Sequence, residues 1–327
     1  MIVVCENCQS RFKLDESRIK ASRFKARCSR CHHVFSAAKP TATDTSPGAT
    51  PAAEVVSGAE AAPSQATQTP QIIAVSNQKG GVAKTTTCLN LGLSLALLQK
   101  RVLLVDFDVQ ANLTISLGYQ NMASFYDLLN AAGEDPERFL VQTRYPDLSL
   151  LPSHKNMVLL NKSYFGAPQY EFVLRDRLAP WMERFDYILI DTPPSIEFFT
   201  LNALTASDLV IIPSQCDYLS THGVDQILKL IELVRHKTNP KVVARLLVTM
   251  YDAQATASQV IYSKLQRIYG GQIFETLIHH DDKLREAQIM SMPVGQYDPN
   301  SRAGQEYMAL AQEVLQPRPR DGRAHGR

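Results

Sequence analysis

The sequence predicts an α/β protein: a doubly wound, mostly parallel sheet carried behind a small cysteine-bearing module and a linker. Three observations predict it. Short β-branched apolar runs alternate with longer helical patterns through the second and third quarters of the chain. Those runs are continuously apolar, which implies strands covered on both faces, and both-face burial together with strand–helix alternation is the mark of a parallel sheet. Finally, composition changes abruptly between Pro40 and Pro70, which separates a short N-terminal module from the rest.

Of 327 residues, 45% are apolar and 20% charged, with a formal net charge of +2. A fibrous or wholly disordered chain is excluded, and so is a strongly basic nucleic-acid coat, although not a local basic patch. No apolar run reaches the length of about 18 residues that a membrane span needs. Met1 to Cys8 lacks the charged and apolar regions of a signal peptide, so the expected location is the cytoplasm, with no integral membrane anchor. Six cysteines in such a compartment are expected as metal ligands or buried small hydrophobes rather than disulfides.

In chain order, residues 1–39 carry Cys5-x-x-Cys8 and then Cys28-x-x-Cys31, within the spacing of about 15–20 residues typical of a four-cysteine zinc site. Each pair presents two thiolates from one tight turn, and two turns close a tetrahedron around Zn²⁺. His32 and His33 adjoin Cys31 and could substitute as ligands. So small a module has little core, and zinc would supply most of its folding free energy, roughly 10–16 kcal/mol. Four thiolates leave no open coordination position, which makes the site structural. Arg11, Lys13, Arg18, Lys20, Arg23, Lys25, Arg27, Arg30 and Lys39 outnumber Glu6, Asp15 and Glu16, which suits an anionic partner or a solvated surface. The module resembles the small zinc ribbons at the N-termini of bacterial regulatory proteins.

Residues 40–70 are rich in Ala, Thr, Ser and Pro, with no aromatic, Lys or Arg. They cannot bury enough apolar area to offset ordering entropy, and are expected to be a disordered linker spanning about 30 Å. Beyond it the expected strands are Ile72–Ser76, Arg101–Phe107, Leu148–Leu151, Tyr187–Asp191, Leu209–Pro213 and Val242–Thr249. The expected helices are Lys84–Lys100, Phe172–Glu183, Gly223–Arg235, Ser258–Ile268 and Arg302–Leu315, and residues 317–327 read as a disordered basic tail.

The first strand runs into Asn77-Gln78-Lys79-Gly80-Gly81-Val82-Ala83-Lys84-Thr85-Thr86 and a helix, a phosphate cradle. Glycines let backbone N–H groups approach phosphates, Lys84 can reach the β and γ oxygens, Thr85 can hold Mg²⁺, and the helix N-terminus favours an anion. The strict P-loop expression fails at Gln78 and Ala83; what remains is a deviant Walker A sequence with an additional lysine, Lys79. Two acidic strand ends follow, Leu103-Leu104-Val105-Asp106-Phe107-Asp108 and Tyr187-Ile188-Leu189-Ile190-Asp191. Both arrive where a doubly wound sheet collects its ligands, which suggests metal and water duties.

These motifs, with His280-Asp281-Asp282-Lys283-Leu284-Arg285 and Tyr297-Asp298-Pro299-Asn300-Ser301, resemble the ParA group of the ParA/MinD ATPases across residues 71–316. The resemblance implies a P-loop NTPase that binds ATP and Mg²⁺ at Lys79, Gly80, Gly81, Val82, Ala83, Lys84, Thr85 and Thr86. It implies a homodimer closed around ATP, with Lys79 crossing to the partner's phosphates and Asp108 positioning the attacking water. It assigns Mg²⁺ support to Asp191, with Asp106 assisting. Val109, Ala111 and Ala83 depart from the family's usual Pro, Gly and Gly, which bears on turnover more than on binding.

The implied function is a positioning switch for DNA or a large complex, with slow hydrolysis stimulated by an adaptor protein. Lys264 and Arg267, at i, i+3 spacing on one helix, and Lys283 and Arg285, beyond an expected strand, are candidates for sequence-independent DNA binding and hence nucleoid association. The alternative is a MinD-like or scaffold-bound ATPase that does not bind DNA. The tail Pro-Arg-Pro-Arg-Asp-Gly-Arg offers no apolar face for a membrane helix. An iron–sulfur reductase would need cluster ligands, and Cys88 and Cys216 read instead as core residues.

Overall fold

The computed structural model describes residues 69–316, except Ala132, Phe165, Ile196 and Leu219, together with four short strands near the N-terminus. The chain divides into two units, Met1–Pro63 and Ser64–Arg327. In the first, β1 (Ile2–Val4) pairs antiparallel with β2 (Arg11–Lys13), and β3 (Arg23–Arg27) pairs antiparallel with β4 (Val34–Ala38). The expected ligands Cys5, Cys8, Cys28 and Cys31 lie outside the described residues, as do most of the expected linker and the basic tail.

The second unit is a seven-stranded sheet. Its strands are β5 (Gln71–Val75), β6 (Val102–Asp106), β7 (Val141–Gln142), β8 (Leu148–Leu151), β9 (Tyr187–Asp191), β10 (Leu209–Gln215) and β11 (Val243–Thr249). They lie in the order β11-β10-β5-β9-β6-β8-β7. All neighbours are parallel except β7, which turns back antiparallel along β8 at the edge. Alternation within one strand shows both faces covered. Ile73 and Val75 pack on the side of α1 (Lys84–Leu97), whereas Ile72 and Ala74 pack on the opposite side with Trp181, Phe198 and Phe199.

The remaining helices are α2 (Asn112–Ser116), α3 (Phe125–Asn130), α4 (Val158–Tyr164), α5 (Val173–Leu178), α6 (Phe198–Ala206), α7 (Ser220–Lys237), α8 (Thr256–Tyr269), α9 (Asp282–Ile289), α10 (Val294–Tyr297) and α11 (Arg302–Leu315). α1 can lie close on the sheet because Gly92 faces it: a Cβ there would stand 2.6 Å from Leu104 Cδ2. The expected helix Phe172–Glu183 is shorter, ending as α-helix at Leu178 and tightening to a 3₁₀ turn at Ala179–Trp181. Pro180 accounts for this, since it has no N–H to continue the ladder. The expected helix to Lys100 stops at Leu97, where Gln99 takes a left-handed φ of 60°.

Candidate nucleotide site

β5, β6 and β9 end side by side, so their C-terminal residues and the loop after β5 share one rim of the sheet. Asn77 pins the start of that loop: its Nδ2 donates to Pro213 O at 2.7 Å, and its Oδ1 accepts from Lys79 N at 3.0 Å. Three carbonyls further along are taken up by side chains. Lys84 Nζ donates to Lys79 O at 3.0 Å, Gln215 Nε2 to Gly81 O at 2.6 Å, and Thr249 Oγ1 to Val82 O at 3.2 Å. With its carbonyls engaged, the loop presents the first turn of α1, whose N–H groups have no partner within the helix.

Gly81 sits at φ +74°, a conformation that costs glycine little, and a Cβ on Gly80 or Gly81 would meet nothing within 4 Å. Open space therefore lies above the loop. Ala83, at φ 68° and ψ 32°, holds the left-handed helix N-cap that glycine would accept more readily.

The acidic residues surround the loop's base. Thr85 Oγ1 donates to Asp191 Oδ2 at 2.6 Å, while the buried Asp191 Oδ1 has no hydrogen-bond partner. Ser76 Oγ and Gln78 Nε2, both beside the loop, are likewise buried without a partner. Burial, then repulsion from Asp106, holds the Asp191 carboxyl well above the usual carboxylate range. A hydroxyl beside a carboxylate with one unspent oxygen is a donor set suited to a hard divalent cation such as Mg²⁺.

Asp106 and Asp108 flank Phe107, whose buried ring lies 5.1 Å from both Phe125 and Phe199. The structure gives Asp106 a different set of partners from Asp191. Its Oδ2 accepts from Thr114 N at 2.8 Å and Thr114 Oγ1 at 2.6 Å, and its Oδ1 from Asp108 N at 3.2 Å. Both oxygens are engaged in holding the 106–114 turn, and burial pushes this carboxyl up to about 6. Asp108 is 5% exposed and caps Gln110 N at 2.9 Å, and burial raises its pKa as well. Burial lowers the pKa of Lys84, against the opposing pull of Asp191 and Asp108.

Lys79 stands at the outer rim, ion-paired with Asp217 beyond β10 and about one-third exposed. Asp217, Gln215, Thr114 and Thr249 were not singled out in the sequence. Only Thr249 carries a legible signal, as the last residue of an expected strand; the observed β10 runs two residues past the expected Pro213, to Gln215.

A cavity of about 210 Å³ opens beside Thr85 and Thr86 and runs to His279 and His280. Lys283 and Arg285 lie on α9, and Lys283 is paired with Glu286 at 2.8 Å. Lys264 and Arg267 are exposed on α8. Cys88 is fully buried against α1's neighbours and Cys216 is half-buried, both as free thiols. Among the described residues no helix is long and apolar enough to cross a membrane.

A parallel sheet whose first strand feeds such a loop, with a buried carboxylate on the loop's threonine, defines a P-loop nucleoside triphosphatase. The family model for the AAA domain matches residues 70–244, and that for the zinc-ribbon domain matches residues 1–36. Chromosome partitioning protein ParA of Myxococcus xanthus is 35% identical over 75% of this chain and 88% of its own length. Chromosome-partitioning ATPase Soj of Thermus thermophilus is 38% identical over 74% of this chain and 94% of its own. The solved structure of cobyrinic acid a,c-diamide synthase from Mycobacterium smegmatis with bound ADP and magnesium is 33% identical, with a TM-score of 0.65, over 75% of this chain and 94% of that one. The chain belongs to the ParA/Soj family of ATPases and carries an N-terminal zinc ribbon.

Proposed function

We propose that the chain is an ATP-dependent dimerising switch that positions DNA or a large cellular complex. The observation that carries this reading is the division of labour between two lysines. Lys84 is turned in beneath the loop, whereas Lys79 stands at the rim on a partly exposed ion pair that it can leave for a second copy. Lys84 and the first turn of α1 bind the β and γ phosphates. Thr85 and Asp191 hold Mg²⁺, which when bound neutralises charge developing on the phosphate oxygens. Asp108 orients the attacking water, and Asp106 fixes the turn that carries Asp108. The base enters the cavity beside Thr86. Hydrolysis to ADP and phosphate, slow alone and stimulated by an adaptor protein, reopens the dimer. Cys5, Cys8, Cys28 and Cys31 bind one structural Zn²⁺, which metal analysis of the purified chain tests.

The deciding experiment uses Asp108→Ala. It should bind ATP, hydrolyse it at least about 100-fold more slowly, and accumulate as a dimer by light scattering. Wild-type turnover in that variant would remove the assignment.

For the cargo, duplex DNA binding is expected with ATP and at low salt, weakening as Lys264, Arg267 and Arg285 are replaced by alanine. The Lys283–Glu286 pair favours a second reading, because it neutralises one of the four candidate cations. If wild type fails to bind duplex with ATP at low salt, positioning on a protein scaffold through the zinc ribbon is the better account.

A further inference from the structure

We propose that His279, oriented by Glu306, reads the 6-position of the purine and makes the site select adenine over a 6-oxo base. The inference rests on the nucleotide reading above, which places the phosphates at the loop and the base in the adjoining cavity.

Several polar groups that line the cavity are spent on the protein itself. Asn90 donates to Thr86 O at 2.8 Å and accepts from Val294 N at 2.7 Å. Asp281 accepts from Lys283 N and Ala303 N, each at 2.9 Å. The Tyr307 hydroxyl is shared with Thr87 Oγ1 at 3.3 Å. His279 is anchored at one ring nitrogen and open at the other. Its backbone N–H donates to Glu306 Oε2 at 2.8 Å and its Nδ1 lies 2.6 Å from Glu306 Oε1, which leaves Nε2 as the ring nitrogen with no protein partner.

The ring is also held in place. Arg302 Nε donates to Glu306 Oε1 at 3.0 Å, the Tyr251 ring stands edge-on at 5.2 Å, and the His279 and Glu306 side chains are each 15% exposed. A carboxylate can only accept, so the proton shared with Glu306 belongs to Nδ1, and a histidine that carries this one ring proton offers Nε2 as an acceptor. Adenine carries an amino donor at its 6-position. Guanine and hypoxanthine carry a carbonyl oxygen there, which would set acceptor against acceptor in a sheltered site. Glu306 is thus a positioning residue acting through His279.

The test measures dissociation constants of the full chain for ATP and ITP with Mg²⁺ at pH 8, by competition against a fluorescent ATP analogue. Wild type should prefer ATP by about tenfold or more, the loss expected when a sheltered acceptor is left unpaired. His279→Ala should bring the ratio to within about threefold, chiefly by weakening ATP. Glu306→Gln should also narrow it, because an amide can donate to Nδ1 and move the ring proton to Nε2. Purine riboside triphosphate, with hydrogen at the 6-position, repeats the test on wild type without any substitution and should bind more weakly than ATP. Equal binding of ATP and either analogue by wild type, or an undiminished ratio in a folded His279→Ala protein, would overturn the proposal. If wild type binds no triphosphate at all, the nucleotide reading itself falls instead.

Discussion

The two ends of the nucleotide site are built on opposite principles. At the phosphate end, Asp191 keeps a buried oxygen without a partner, Lys84 is charged at an energetic disadvantage, and Ala83 and Ala111 occupy left-handed backbone. At the base end, Asp281 caps α9 and ties it to α11, while Glu306 joins His279 to Arg302. Groups left under-satisfied are groups waiting for a ligand, and groups fully engaged hold a shape. The difference teaches that the phosphate end leaves several groups open for its ligand, whereas the base end, His279 Nε2 apart, commits its charged groups to holding a shape.

The largest effect that would break this division is at Lys84. Lys84→Ala removes a sheltered charge from the phosphate end and should weaken ATP about 100-fold while leaving the folded protein no less stable in its absence. A titration that shows nearly unchanged affinity would mean that the loop backbone alone suffices.

Paired aspartates sharpen it further. Asp281→Ala loses acceptors for two backbone N–H groups and should cost about 2 kcal/mol, at about 1 kcal/mol for each cap, in urea unfolding without nucleotide. Asp191→Asn should do the reverse, raising the nucleotide-free thermal midpoint by a few degrees, since a neutral amide is cheaper to bury, and abolishing the further rise that Mg-ATP gives. Destabilisation by both, to a similar degree, would erase the distinction between the ends.

A smaller effect follows from Asp106, whose carboxyl is pushed by burial from its ordinary value of 3.8 up to about 6. A raised acid pKa means that the folded state binds more protons than the unfolded state between those limits. Stability from this group is therefore present at low pH and lost as pH rises through that window. Glu313 and Asp186, whose pKa values are lowered, act the other way and at lower pH. Carboxyl carbon NMR of the nucleotide-free protein should find Asp106 titrating near 6; titration near the usual value would show that Thr114 offsets its burial completely.

The sequence made the phosphate end far more legible than the base end, for a physical reason. Lys79 to Thr86 are contiguous, and Asp106, Asp108 and Asp191 each close an apolar run, so local pattern exposes them. The strands Leu148–Leu151 and Tyr187–Asp191 and the helix Arg302–Leu315 have their expected bounds. By contrast, His279 meets Glu306 and Lys79 meets Asp217 only after the chain has folded, and no periodicity joins them. β7 escaped because two residues cannot display an alternation, and its antiparallel direction is set by its pairing with β8. α9 escaped because it is short and mostly polar, and its start is fixed by the Asp281 cap rather than by an apolar stripe.

The smallest predicted effect concerns the two alanines. Ala83 caps α1 at φ 68° and Ala111 caps α2 at φ 53°, neither with a side-chain hydrogen bond. An L-residue in that region pays about 1–2 kcal/mol, and alanine is also a poorer N-cap than glycine. Against this, glycine gains freedom in the unfolded chain that offsets about 0.4–1 kcal/mol. Ala83→Gly and Ala111→Gly should therefore each stabilise the nucleotide-free ATPase unit by only about 0.5 kcal/mol in urea unfolding. The two caps belong to different helices, and a double variant whose gain equals the sum of the two would show that they act independently. If the strain serves to pre-set the loop for phosphate, the stabilised variants will bind ATP more weakly although they unfold less readily. Unchanged ATP affinity together with the stability gain would show that the strain at these two caps contributes nothing to binding, and would confine the contrast between the two ends to their charged groups.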